Sequence, residues 1–260
     1  MELQELRLAK SIVLIIIFVL IYLFESIFPF YKNRKKSLIH SLSNLSLAIF
    51  NSIITSIFFS AAFLYVSEQD LTQRFGLLHN LNYSFITELI IGIVLFDLWM
   101  YIWHVLNHKS RFLWRFHKTH HTETEMETTT ALRFHPIEII ISNILKLGII
   151  AIIGFNLEQL LIYEAILLPV IILHHSNMIF PEYVDRYYRI LFASPHMHRI
   201  HHSDVQKETD SNYTSIFSIW DRSFRTFQLR KDPENIKQGL KNYKDKKWNT
   251  FWWILKTPFI

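Results

Sequence analysis

Histidine is the residue type that sets this chain apart: there are 14, and most fall in short clusters. One segment carries Asp97, Tyr101, His104 and His108, at offsets of 4, 3 and 4 that place all four on one helical face. A second reads His117-Lys118-Thr119-His120-His121 and a third His198-Arg199-Ile200-His201-His202. In both, the outer histidines sit three and four residues from the first, again on one helical side. A fourth, shorter segment is His174-His175-Ser176-Asn177. Side chains three or four residues apart on a helix have Cβ atoms about 5–6 Å apart, so their imidazoles can converge on one ion. The first three segments supply His104, His108, His117, His120, His121, His198, His201 and His202. A tetrahedral zinc takes about four protein ligands, so eight imidazoles call for two metals. Imidazole suits iron, zinc, copper and nickel alike. There is no HExxH pair of a thermolysin-like protease and no Glu-x-x-His pair of a ferritin-like bundle. The absence of cysteine excludes disulfides, cysteine-bound iron–sulfur clusters, thiolate haem and Cys-type zinc sites.

The remaining polar residues around these clusters have defined expectations. His175 is a candidate ninth ligand, with His174 supporting it. His135 precedes Pro136 and is expected to orient a ligand, the alternatives being that it is itself a ligand or only a helix cap. Asp97 lies near the end of an apolar run, where a carboxylate is costly. It is read, with Tyr101, as support for a ligand imidazole, fixing the tautomer; the plainer reading is an interfacial charge. His196 is expected to be structural, His40 and His79 to be ordinary satisfied or surface residues, and Trp220-Asp221-Arg222 to form an ion pair. Arg115, Lys118 and Arg199 neighbour ligands; surface solvation is the first reading and a lipid head group the second. Glu123 or Glu125 would serve as general base if the metal were zinc and the reaction hydrolysis. A metal transporter would want ionisable residues along the apolar runs, and most have few.

These clusters must be positioned by apolar elements. Half of the 260 residues are hydrophobic and mean hydropathy is positive. The mildly basic balance, 27 Lys+Arg against 22 Asp+Glu, then fits an anionic membrane surface rather than nucleic acid. Five apolar runs follow: Ser11 to Phe30, Leu45 to Val66, Phe85 to Leu106, Ile137 to Ile153 and Leu157 to Leu173. The first has the length of a membrane-spanning helix and lacks the cleavage site of a signal peptide. The last two are split by Gly154-Phe155-Asn156, with Asn156 as N-cap and Gln159 three residues on, which predicts an αα-hairpin. At about 17 residues per arm it is long enough either to span or to re-enter. The cations Lys32, Arg34, Lys35 and Lys36 after the first run, against Arg74 alone after the second, orient the chain with its histidines on the cytoplasmic side. The expected architecture is all-α: a polytopic bundle of four to five apolar helices with a histidine-rich helical cap. Residues 1–84 form N-terminal membrane helices and 85–260 the catalytic domain.

From Asp97 to Phe227 the sequence resembles the fatty acid hydroxylase/sterol desaturase superfamily of integral membrane di-iron enzymes. The resemblance is carried by Asp97…Tyr101…His104…His108, Leu113-Trp114-Arg115-Phe116-His117-Lys118-Thr119-His120-His121, Arg133-Phe134-His135-Pro136-Ile137-Glu138, His175-Ser176-Asn177, Ser194-Pro195 with His198-Arg199-Ile200-His201-His202-Ser203, Asn212-Tyr213, and Trp220-Asp221-Arg222-Ser223-Phe224. Thr214 and Arg225 depart from it, each standing where the family usually has Gly. The resemblance implies two iron ions held by the histidines, zinc being a possible substitute, with O2 as co-substrate. The substrate would be a membrane lipid, hydroxylated or desaturated. With no cysteine cluster, no Rossmann glycine fingerprint and no room for a fused cytochrome, electrons would come from an external cytochrome b5-like or ferredoxin-like donor.

Overall fold

The computed structural model describes residues 3–32, 38–68, 76–78 and 83–260. Arg34, Lys35, Lys36, Arg74 and His79, used above for orientation and as an ordinary histidine, lie outside the described residues. The principal helices are α1 (Leu3–Ile27), α2 (Leu38–Glu68), α3 (Phe85–Lys109), α4 (Arg111–His121), α5 (Pro136–Ile153), α6 (Leu157–His175), α7 (Glu182–Leu191) and α8 (Pro195–His201). Five of them, α1, α2, α3, α5 and α6, are long and apolar enough to cross a membrane. Their outward faces are large apolar side chains such as Ile15, Ile57, Phe58, Ile86 and Ile144. A helix satisfies its own backbone hydrogen bonds, so such faces can meet lipid without exposing polar groups. The chain is thus built as a multi-pass membrane protein.

Local chemistry sets the boundaries. Ser84 caps α3 by accepting from the Thr87 amide. Gly154 ends α5 in the left-handed region at φ 88°, a conformation that costs glycine little. Asn156 and Gln159 then form the reciprocal capping box that starts α6, so the expected hairpin is present. The first apolar run begins and ends earlier than expected. Pro29 disfavours helix in the residue before it, and Phe30 instead donates to the Asn177 carbonyl in an extended bridge.

The helices pack chiefly as α2 on α5 and α1 on α6. The core between α3, the hairpin turn and the C-terminal region holds Phe96, Phe155, Tyr163, Ile150 and Ile216, all buried. Phe155 packs so closely on Gly92 that a Cβ there would lie 2.2 Å from the ring. Buried polar staples join the spans. Lys10 and Glu164 form a 2.6 Å ion pair between α1 and α6. Glu25, fully buried near the end of α1, accepts from the amides of Thr128 and Asn177. The contacts of Glu25 and of His40 with Glu123 bring the end of α1 and the start of α2 to the end of the bundle where α3 and α6 finish and α5 begins.

The Gly92–Phe155 contact makes a direct prediction. Gly92→Ala destabilises the protein by about 1–3 kcal/mol, the usual cost of overpacking, and lowers the thermal midpoint measured in detergent. Phe155→Leu, by shortening the ring, recovers part of that loss in the double variant.

Candidate metal centre

Nine imidazoles from four elements meet at that end of the bundle, in two groups. His104 and His108 of α3, His117 and His121 of α4 and His201 of α8 form one, with candidate ligand atoms all within 4.8 Å of one another. His120 of α4, His175 of α6, His198 of α8 and His202 form the other, under the same limit. Successive helical residues point about 100° apart, so the His-His pairs at 120–121 and 201–202 divide between the groups and hold them side by side. The His121 and His202 rings stack at 4.6 Å across that boundary.

The ring orientations are fixed by hydrogen bonds at Nδ1. His104 donates to the Tyr213 carbonyl at 2.7 Å, His201 to Ser211 at 2.7 Å, His175 to Ile171 at 2.7 Å and His120 to Arg133 at 3.2 Å. His117 donates to the Glu138 carboxylate at 2.8 Å. Carbonyl and carboxylate oxygens only accept, so the proton sits on Nδ1 and each Nε2 presents a lone pair. The Nε2 atoms of His104, His117 and His201 are buried and have no hydrogen-bond partner among the described residues. The His175 Nε2 lies 3.1 Å from that of His120 and 2.8 Å from that of His198. Between His175 and His120 both lone pairs face each other, which is repulsive unless a cation lies between them. This donor set fits a pair of borderline-soft transition metals. Burial, with mutual repulsion, pushes His120, His121, His198 and His202 well below the ordinary imidazole value, and burial takes His201 down to about 3. All are therefore neutral, the ligating form, at physiological pH.

The fatty acid hydroxylase family profile matches residues 89–226, over half of the 260 residues, and spans every one of these imidazoles. The chain belongs to the fatty acid hydroxylase family. The chain is similar to the ornithine lipid hydroxylase OlsE of Rhizobium tropici, 28% identical over 153 residues that cover 59% of this chain and 45% of that protein. It is also similar to the alkylglycerol monooxygenases of Homo sapiens, 24% identical over 60% of this chain and 36% of that protein, and of Caenorhabditis elegans, 27% identical over 55% and 28%. The match thus covers less than half the length of these relatives. No solved structure matches the chain.

Several neighbours of the site take roles other than those expected. Asp97 does not orient an imidazole, nor is it an interfacial charge. It is fully buried and accepts from the Ile216 and Phe217 amides and the Trp220 indole, tying α3 to the C-terminal loop. Tyr101 acts only at one remove: its hydroxyl meets Thr226 and its ring lies edge-on to Tyr213, the residue whose carbonyl holds His104. His135 is a cap, accepting from the Ile137 amide and pairing with the Leu255 carbonyl. His174 stacks on His198 at 4.0 Å and belongs to neither ligand group. His196, by contrast, has the structural role expected of it, held by Glu182 at 2.9 Å.

The cations expected at the surface are occupied internally. Arg199 is buried, donates to the Met178 carbonyl and stacks on Phe30. Arg115 donates to the Pro258 carbonyl and Lys118 to Tyr243 and Ile260. Asp221 makes no ion pair with Arg222 but receives the amides of Tyr213 and Thr214 and the hydroxyls of Thr214 and Thr226. That use of Thr214 explains one departure from glycine. The other, Arg225, adopts φ 61°, the left-handed backbone that favours glycine.

Two supports escaped the sequence reading. Glu138, in the first turn of the largely apolar α5, is the carboxylate that orients His117. Arg133 is fully buried and spans Thr119, Thr122, Asn44 and Trp248 while its own carbonyl holds His120. Its charge is matched by Glu123: burial alone would raise that carboxyl, but His40 at 2.5 Å and Arg133 hold it well below the usual range. A buried charge in an apolar run, or beside a histidine cluster, was the available signal.

A cavity of about 650 Å³ opens onto both histidine groups. It runs between α2, α3, α5 and α6, and its walls include Phe63, Met100, Trp103, Phe134, Leu168 and Ile171.

Two outcomes are expected. Glu138→Gln lowers metal affinity by roughly 10–100-fold, as losses behind a histidine ligand do, read by competition against a chelator. The second concerns pH. Each folded-state value is depressed from 6.5, so the unfolded chain binds protons first as pH falls. The stability contributed by the neutral rings is whole above pH 6.5 and is lost as pH falls toward 3. The thermal midpoint of the metal-free protein should therefore drop steadily between those limits; a flat profile would contradict the assignment.

Proposed function

We propose that this protein is a membrane-bound di-iron oxygenase that hydroxylates a C–H bond of a lipid, using O2 and electrons from an external donor. The observation that carries the reading is the pair of adjacent all-imidazole groups opening on one largely apolar cavity inside a bundle of membrane-length helices. In it, His104, His108, His117, His121 and His201 hold one iron and His120, His175, His198 and His202 the other. Iron bound there would supply O2 activation, one oxygen atom entering an unactivated C–H bond and the other leaving as water with two electrons from the donor and two protons.

The protein's own residues do the rest. The Nδ1–H bonds keep the Nε2 atoms aimed inward and neutral. Phe134, stacked on His120 at 4.7 Å, and the apolar walls exclude water and hold the substrate chain against the site. Hydroxylation is favoured over desaturation because the relatives carry hydroxylase and monooxygenase names. Of the two bases expected for the zinc hydrolase alternative, Glu123 is committed to His40 and Arg133, and Glu125 is neither among the residues lining the cavity nor in either histidine group.

Electrons are proposed to enter beside Trp114. Its ring lies 5.0 Å from His108 and 5.4 Å from His121, and it lines a surface groove with Arg111, Arg115, Lys118 and Lys241. A cytochrome b5-like or ferredoxin-like donor with an acidic face would complement that groove. The four cations that follow α1 in the sequence support, by the positive-inside rule, a cytoplasmic location for this end of the bundle.

Anaerobic purification followed by metal analysis should return two irons per chain, and lipid product should appear only with O2 and a reductant. His120→Ala and His201→Ala each abolish turnover while the protein still inserts in the membrane. Zinc alone with oxygen-independent turnover, or full activity in both variants, would overturn the reading.

A further inference from the structure

The far end of the cavity carries a charge that the oxygenase reading does not use. Lys146 lies in α5 within an apolar stretch from Ile144 to Ile153, and it is the one Lys or Arg among the described residues that line the cavity. It is half-buried and makes no hydrogen bond or ion pair among the described residues. A cation inside a membrane span is costly and normally faces a partner or a wet cavity. Here the cavity wall opposite is polar. Ser52, Thr55, Ser56 and Ser60 recur on one face of α2, and Asn143 of α5 donates to Thr55 at 3.1 Å.

The cations nearest the imidazoles cannot serve a ligand in the same way. Arg199, Arg115 and Lys118 hold main-chain carbonyls, Lys118 the Tyr243 hydroxyl as well, and Arg133 holds α2, α4 and the C-terminal region together. Glu138, two turns earlier in the same helix, touches His117. The cavity therefore has imidazoles, the ammonium of Lys146 further along α5, and a row of α2 hydroxyls along its wall. Eight residues separate Glu138 from Lys146, about 12 Å along the helix axis.

We infer that Lys146 is a specificity residue that binds the anionic group, carboxylate or phosphate, of an acyl or alkyl lipid, so that the substrate lies with its charged end away from the metals and is oxidised along its chain. The inference rests on the cavity being the substrate site, as proposed above. The separation acts as a ruler. Twelve ångströms correspond to roughly eight to ten C–C bonds of about 1.5 Å each, so the carbon presented to the metals is counted from the anionic group and not from the methyl end. The hydroxyls of α2 solvate the bound anion beside Lys146 and lower the cost of its burial.

The test uses the full chain, metal-free, in nanodiscs of phosphatidylcholine, with a fluorescent polyene fatty acid and its methyl ester as probes. Trp103 in the cavity wall reports binding by energy transfer. Wild type should bind the acid at least tenfold more tightly than the ester. Lys146→Met should remove that preference, with the ester's affinity showing that the cavity is intact, and Lys146→Arg should restore it. Displacement of the acid by an alkyl phosphate of equal length, compared with an alkyl carboxylate, tells phosphate from carboxylate as the preferred group. An acid-to-ester ratio unchanged by Lys146→Met would overturn the inference. Neither arm needs turnover. Lack of oxygen-dependent product would sink the oxygenase reading alone, whereas an unchanged ratio would sink this one alone. In the iron-loaded protein, products from acids of increasing chain length should keep the oxidised carbon at a constant count from the carboxylate. A count constant from the methyl end would also overturn it.

Discussion

Five hydrogen bonds from imidazole Nδ1 decide what the histidine-rich end of this protein can do. A free imidazole can carry its proton on either nitrogen and rotate about its side chain. When Nδ1 is bound to a fixed acceptor, both freedoms vanish, and the Nε2 lone pair is aimed at one point. Here the acceptors are the carbonyls of Arg133, Ile171, Ser211 and Tyr213 and the carboxylate of Glu138. The arrangement concentrates lone pairs in a buried volume, an unfavourable state by itself. Opposed lone pairs and depressed imidazole basicity are the two costs, and both are relieved by a cation.

Those acceptors stay in place because buried charges hold the chain that carries them. Residues 211–217 present two of the four carbonyls. Asp97 grips that segment at Ile216 and Phe217, and Asp221 grips it at Tyr213 and Thr214. Asp97 and His104 share a face of α3, so the helix that supplies a ligand candidate also fixes the loop that orients it. Glu25 does the same from α1, holding the Thr128 turn and the Asn177 corner after His175. Each carboxylate receives several amide hydrogens, which is the condition under which burying it is tolerable. The left-handed backbone at Arg225 is a small strain carried within this clamp, beside the Phe227 and Thr226 amides that donate to the Asp221 carbonyl.

Much of this was legible in the chain. Hydropathy and length gave the long helices, Asn156 and Gln159 gave the hairpin, and the spacing of His104, His108, His117, His120, His121, His198, His201 and His202 gave groups able to converge. The supports were read less well. Asp97 shares a helical face with His104, which points to an imidazole partner, but its real partners are amides more than a hundred residues away. His135 lies close to the clusters in sequence, but as the residue before Pro136 it caps a helix. Arg199 and Lys118 neighbour ligands in sequence, yet helical neighbours diverge by about 100°, and instead of meeting solvent or a head group both turn to the chain's own carbonyls.

The sequence by itself determined the local facts: which segments are apolar helices, where they are capped, and which histidines share a face. These follow from hydrogen bonds and periodicities spanning a few residues. Only the tertiary structure decided how nine imidazoles divide into two groups, which oxygen fixes each ring, and that Glu138 rather than Asp97 stands behind a histidine. Those depend on the direction in which helices distant in sequence approach one another. A side chain's partner in a packed interior is chosen by that approach, and spacing along the chain does not encode it.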